Sequence, residues 1–260
     1  VCDMPVLDLY LNGLYVMLAF ALVGWILSVF RQNVTHVDSM WSLFFLLASF
    51  AYVDSFSAIH ARGLIALSLL TIWALRLSIY LTYRNWGPHE DHRYVAIREN
   101  NAPHFKWSSL YIVFGLQAVL AWIISLPILG SINATDSLNI IDIVGILLTV
   151  FGITWESIAD WQLTKFKRVN ANRHKVINTG VWRYSRHPNY FGECCVWWGF
   201  FLIALAGGAW WSLPSVILMT LLLLKVSGVA LLEKDIAERR PEYLHYIKTT
   251  NAFIPGKPKR

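Results

Sequence analysis

Seven runs of apolar residues, at 10–30, 36–55, 62–83, 108–129, 139–163, 189–206 and 209–231, dominate this 260-residue chain. A helix rising about 1.5 Å per residue needs roughly 20 apolar residues to cross the hydrocarbon of a bilayer. Charged residues make up only 15% of the chain, against about 25% in soluble proteins, so the runs are not the cores of soluble helices. The expected fold is all-α: a polytopic integral membrane protein with seven transmembrane helices. A single domain covers residues 1–260, with loops 84–107 and 164–188 and a tail 232–260 on one face. No soluble domain, internal repeat or low-complexity tract interrupts it. The sixth run is short, and Gly207-Gly208 leaves room only for a tight turn before the seventh.

Charge orients this arrangement. Apart from Arg62, Arg76 and Lys225, every Lys and Arg falls on the face carrying the 31–36 connection, the two loops and the tail. The opposite face carries Asp3, Asp8, Asp54 and Asp136, with Arg62 as its cation. By the positive-inside rule the basic face is cytoplasmic, and a miscounted span would scatter these charges over both faces. The thirteen tryptophans and eleven tyrosines suit aromatic belts at two interfaces. A pI near 9.3 would fit nucleic acid, but the basic residues sit between apolar runs. Anionic lipid headgroups or a phosphorylated cofactor are the better partners, and no obligate protein partner is evident. Cys2, Cys194 and Cys195 show no disulfide pattern, and the vicinal pair reads as helix-packing filler. The first run is too long for the core of a cleavable signal and lacks a basic flank.

Six ionisable residues fall inside the runs: Asp38, Arg76, Glu156, Asp160, Glu193 and Lys225. Each costs about 3 kcal/mol to insert, so each is a functional candidate. All lie within roughly three turns of the cytoplasmic end of their helix. That clustering fits a pocket open to the cytoplasm better than a pathway through the membrane. The competing explanation is structural ion pairing, such as Asp38 with Arg76, and snorkelling, which accounts for Lys225 but not for short carboxylates.

The stretch from Gly180 to Glu193 runs a basic, aromatic segment into Pro188, well placed as the first residue of a helix. Arg186 and His187 then flank the positive end of the helix dipole, an anion-binding position. Asn189 and Glu193, four apart, share one helix face. The loop 165–175 adds two basic clusters that would suit a polyphosphate. The mixed tail 233–246 is long enough to fold back as a short interfacial helix or to lie on lipid. His89-Glu90-Asp91-His92 lacks the spacing of helical zinc ligands and reads as solvated loop, so no metal site is expected. No Gly-x-Gly and no nucleophile elbow occur, which excludes a Rossmann dinucleotide site and an α/β-hydrolase serine.

The string Arg186-His187-Pro188-Asn189-Tyr190-Phe191-Gly192-Glu193 resembles the C-terminal signature of membrane-embedded steroid and sterol reductases, in particular bacterial members of the steroid 5α-reductase family. The similarity is most specific from Trp155 to Pro255. Its Arg-His-Pro-x-Tyr-x-Gly core also resembles isoprenylcysteine carboxyl methyltransferases, which use S-adenosylmethionine, but Asn189 and Glu193 are reductase-like. The resemblance implies a seven-helix bundle holding NADPH in its cytoplasmic half, with a steroid entering from the lipid. It assigns cofactor contacts to Asn189 and Glu193, to Asp160, and to the basic Lys167, Arg173 and Lys175. It extends them to Tyr184, Arg186 and His187 of the signature and, more loosely, to Arg93, Arg239, Tyr243 and Tyr246. On the catalytic side Asp38 falls near the family's glutamate, and Tyr80 matches a tyrosine one turn after Arg76. The family's acidic tyrosine falls on Trp73, which has no proton to donate. Tyr80, a water held by Asp38, or Asp38 itself then remains as the acid.

The expected function is therefore NADPH-dependent reduction of the Δ4 double bond of a 3-oxo steroid or similar enone in a bacterial inner membrane. Hydride goes to C5 while an acid network near Asp38 and Tyr80 stabilises charge on the ketone oxygen. Trp41 and Trp73 would wall the sterol slot. The alternative is a membrane methyltransferase using S-adenosylmethionine, a cation that gains little from Lys and Arg clusters.

Overall fold

The computed structural model describes residues 6–54, 58–172, 175–226, 229, 233 and 241–258. Every regular element among them is helical and none is a strand. In chain order they are α1 (Val6–Arg31), α2 (Val37–Val53), α3 (Ala61–Arg84), α4 (His92–Asn100), α5 (Phe105–Asn133), α6 (Ile140–Arg168), α7 (Pro188–Ala206), α8 (Trp210–Lys225) and α9 (Glu242–Thr249). Five are long and apolar enough to cross a membrane: Leu7–Arg31, α3, α5, α6 and α7. The second apolar run forms the shorter helix α2, and the described part of the seventh forms α8. The 84–107 connection carries α4, and the tail carries α9, matching the short helix its length allows.

Two compact units divide the chain: Val1–Leu138 with Gly207–Ala209, and Asn139–Ala206 with Trp210–Arg260. In the first, α2 packs against α1 and α3. Glycine lets Tyr52 lie against Gly13 and Met40 against Gly24. The Ser42 hydroxyl donates to Ala74 O at 2.8 Å, an interhelical bond that suits a setting without competing water. Fully buried Trp73 meets Phe45 edge-on at 5.9 Å, and Phe45 meets Trp41 at 5.3 Å. Tyr10 and Trp122 stack at 4.1 Å and exchange hydrogen bonds with each other's carbonyls, tying α1 to α5. Within α5, Leu110–Gly115 winds as a π-turn, and Pro127 breaks the bonding ladder just after Ser125. Arg62, the cation on the acidic face, is fully buried and donates to Asp136 O and Ser137 O.

In the second unit α6 begins at a capping box. Asn139 Oδ1 accepts from Ile141 N, and Asp142 Oδ2 accepts from Asn139 N at 2.8 Å. The buried face of α6 reads Asp142, Gly145, Thr149, Gly152, Glu156, Ala159 and Asp160, while many of its large apolar residues are exposed. That inverts the pattern of a soluble helix, as expected where the solvent is lipid. Antiparallel α7 fits this face through Gly192 and Gly199. A Cβ on Gly152 would lie 2.6 Å from Gly192 O, and one on Gly192 would lie 2.8 Å from Glu156 N. Backbone therefore touches backbone at two levels seven residues apart on each helix. Thr220 of α8 accepts from Trp198 Nε1 at 3.1 Å. Cys194 and Cys195 are buried free thiols on α7, in keeping with a packing role.

Because both partners at this seam are main chain, neither can move away from an added methyl. Gly152→Ala should cost about 1–3 kcal/mol of stability by overpacking, whereas Leu147→Ala on the exposed face should cost under about 0.5 kcal/mol. Thermal unfolding in detergent checks both, and an unchanged midpoint for Gly152→Ala would contradict the close contact.

Candidate functional site

Polar side chains concentrate in two places, one in each unit. The first surrounds Asp38, in the first turn of α2. Its Oδ1 accepts from the Tyr94 hydroxyl at 2.6 Å, and its Oδ2 accepts from Arg93 Nη2 at 2.6 Å and Asn85 Nδ2 at 3.4 Å. Arg84 Nη2 lies 3.9 Å from the same oxygen, and its guanidinium sits 5.7 Å from the Tyr80 ring. The carboxylate thus draws α2, the end of α3 and the start of α4 together, and Arg84 links Tyr80 to it.

The segment preceding α4 is built to deliver those donors. Asp91 caps the helix by accepting from Arg93 N, and also accepts from Arg93 Nε at 2.9 Å. Its own amide donates to Thr35. Glu90 accepts from Val34 N and, through both carboxylate oxygens, from Arg98. Burial pushes the Asp91 carboxyl up, but the hydrogen bond and charge of Arg93 outweigh it and lower its pKa. In His89-Glu90-Asp91-His92 both histidines are exposed, as a solvated loop would have them, but Glu90 and the amide of Asp91 pin the segment to the turn before α2. Among the described residues no three His, Cys, Asp or Glu side chains come together as metal ligands would. Burial, with the neighbouring Asp38 charge, raises the Tyr94 pKa and keeps its proton in place. Gln117 donates to the same hydroxyl at 3.4 Å.

The second cluster is the signature turn. Gly180 has φ +60 and sits against the Gln162 side chain, where a Cβ would strain the backbone and collide. Gln162 accepts from Val181 N at 3.0 Å, and Trp182 Nε1 donates to Ala159 O at 3.1 Å, so the turn is fastened to α6. From there Ser185, Arg186 and His187 enter the interior. Arg186 grips Glu233 with two bonds, Nε to Oε1 at 2.7 Å and Nη2 to Oε2 at 3.0 Å. Its Nη1 donates to Thr250 O at 2.6 Å and Ile247 O at 3.1 Å. His187 Nε2 and the Tyr243 hydroxyl also meet Glu233 Oε1, at 2.9 and 3.2 Å. Tyr246 donates to Trp182 O and Ser185 O. Main-chain bonds from Arg186 N to Asn251 O and from Gly256 N to Tyr184 O complete the strap.

The predicted cofactor residues separate accordingly. Arg186, His187, Tyr243 and Tyr246 are buried and hold protein to protein. Lys167, Lys175 and Tyr184 are exposed, and Asn189 is half-buried. Asp160 and Glu193 are buried in α6 and α7, alongside Glu156. Arg93 belongs to the Asp38 cluster. Arg173 and Arg239 lie outside the described residues. Of the slot residues, half-buried Trp41 and fully buried Trp73 flank Phe45 in one aromatic row. Sequence reasoning missed Tyr94, Asn85 and Glu233. An Asp cap three residues before Tyr94 was a readable sign of a helix there, whereas Glu233 looked like any charge in a mixed tail.

A family model described as a protein of unknown function, DUF1295, matches residues 24–250, and the chain belongs to that family. An uncharacterized protein of Schizosaccharomyces pombe is 25% identical over an alignment covering 95% of this chain and 82% of the relative. No solved structure matches the chain.

Glu233 supplies a pH signature for the second cluster. Burial pushes its carboxyl up, but the hydrogen bonds and charges of His187 and Arg186 outweigh that and bring the pKa to about 2 from an ordinary 4.5. A depressed carboxylate stabilises the fold above its ordinary value, and the contribution fades as pH falls through the folded value. The thermal midpoint should therefore drop as pH falls from about 5 to about 2, and Glu233→Gln should flatten that drop. Identical pH slopes in the two proteins would contradict the assignment.

Proposed function

We propose that this chain is an NADPH-dependent membrane reductase acting on the Δ4 double bond of a 3-oxo steroid or similar lipophilic enone. The observation that carries the reading is the Asp38 cluster, where a buried tyrosine hydroxyl and an arginine converge on one carboxylate. The family resemblance left Tyr80, a water held by Asp38, or Asp38 itself as the acid, and on this reading Tyr94, bonded to Asp38 at 2.6 Å, takes that role. Further support comes from the DUF1295 family itself, which is related to steroid-reductase-like membrane proteins.

The chemistry follows from the charge that develops. Hydride arriving at C5 drives electron density through the conjugated system onto the ketone oxygen, which must be met by a proton or a strong donor. Tyr94 turns its hydroxyl from Asp38 to the ketone and gives its proton to the oxygen, forming the enol. The adjacent Arg93 guanidinium, 5.4 Å from the ring centroid, then favours the tyrosinate. The enol takes a proton from water at C4 and returns its O–H proton to give the saturated ketone. Asp38 holds Arg93 and Tyr94 in position. NADPH supplies the hydride when bound. On this reading Asn189, Glu193 and Asp160 fix the cofactor from α6 and α7, while Lys167 and Lys175 pair with its phosphates.

All seven apolar helices cross the membrane in this proposal, α2 and α8 included, with the basic loops and tail cytoplasmic and the bacterial inner membrane as the site. Trp41 would border the slot reached by the steroid from the bilayer, with Trp73 as its packed floor. A methyltransferase remains the second reading, because the Arg186-His187-Pro188 core is shared with that class.

Purified protein given NADPH and a Δ4-3-oxo steroid should lose the near-ultraviolet absorbance of NADPH and form the saturated ketone. Tyr94→Phe should lower kcat by about 100-fold or more while cofactor binding persists, in line with loss of general acid catalysis. Glu193→Ala should abolish NADPH binding in a folded protein. Methyl transfer from S-adenosylmethionine, with no NADPH oxidation by any of several enones, would overturn the proposal.

A further inference from the structure

We infer that Glu233 is a positioning residue: its carboxylate docks the C-terminal segment 241–256 onto the Arg186–His187 turn and reserves those two side chains for that task. Direct contact with an anionic ligand then falls to exposed side chains, Lys167 near the end of α6, Lys175 in the segment after it, and Tyr184 of the turn. The docking stands on geometry alone, while the naming of the ligand as NADPH rests on the reductase reading.

The bonding pattern excludes a casual surface pair. Exposed ion pairs add little because water competes for both partners. Here Arg186 and His187 are only 8% and 4% exposed, and the planar guanidinium meets Glu233 in the two-bond fork that gives Arg–carboxylate pairs their strength and direction. Three different donors share Oε1. The remaining Arg186 contacts run to the carbonyls of Ile247 and Thr250, where α9 ends. Ser185 adds a bond to Phe253 O at 2.8 Å, and Phe191 meets Phe253 edge-on. Apart from the Tyr243–Glu233 bond, which lies within the tail, each of these contacts joins the signature turn or the start of α7 to the tail.

Removing the negative charge has a directional consequence. A buried guanidinium that loses its carboxylate must find another anion or reach water. Either route lifts the tail from the turn and disturbs the helix terminus from which Asn189 and Glu193 project. Affinity for the cofactor then falls, while the Asp38 cluster, in the other unit, retains its own bonds. The signature therefore acts by building the wall of a site, with Glu233 as its keystone.

The test uses the full chain in detergent, comparing wild type with Glu233→Gln, Glu233→Asp and Lys175→Ala. Amide exchange is read at Arg186 and Gly256, which donate to Asn251 O and Tyr184 O. Glu233→Gln should speed that exchange about tenfold or more and raise the KM for NADPH about tenfold, leaving kcat within about threefold. Glu233→Asp keeps the charge and should fall between, which separates the charge from any general failure to fold. Lys175→Ala should raise KM with exchange unchanged. Wild-type exchange in Glu233→Gln overturns the docking. Fast exchange with an unchanged KM, or an unchanged KM in Lys175→Ala, overturns the division of labour. Should wild type bind no NADPH, the reductase reading fails, and exchange alone then decides the docking.

Discussion

Contact between α6 and α7 sets the conditions for the rest of the second unit. Two glycines on each helix bring main chain against main chain, and a Cβ at Gly152 or Gly199 would fall within 2.7 Å of the facing backbone. Lipid offers no hydrophobic gain for pressing two apolar helices together, so close packing and polar contacts must supply the attraction. The seam does both. Its shallow glycine surface continues into Glu156 and Asp160, and Glu193 follows Gly192, so these two helices carry three buried carboxylates. From that fixed platform Ala159 and Gln162 hold the signature turn, and the turn in turn holds the tail.

Much of this was legible beforehand. Apolar runs and charge bias predicted a helical membrane protein, and five of the runs form helices of spanning length. The depth of the buried charges picked out Asp38, Asp160 and Glu193 as sites of interest, and Pro188 opens α7 as its chemistry requires. What stayed hidden were pairings between residues distant in sequence. Nothing local announces that Tyr94 reaches Asp38, 56 positions away, or that Glu233 meets Arg186 across 47. A polar loop and a paired loop have the same composition, which is why Glu90 and Asp91 looked solvated. The short α2 shows a different limit: hydropathy marks an apolar run but leaves its helical length to the turns at its ends.

The two clusters also divide the work the motif seemed to promise. Arg186 and His187 looked like anion ligands because they flank a helix terminus, yet their bonds go to Glu233 and to carbonyls of the tail. A cation beside a helix terminus can thus be committed to holding protein to protein. The Asp38 cluster reverses that lesson. Its loop seemed bland, but it carries the tyrosine that a reduction of an enone would need.

Transfer of label tests the central claim most directly. With NADPH carrying deuterium at the transferable position of the nicotinamide and a Δ4-3-oxo steroid as acceptor, the account predicts a saturated ketone bearing one deuterium, located at C5 by mass spectrometry and NMR. A saturated product without the label, or a methylated product formed from S-adenosylmethionine in its place, would contradict it.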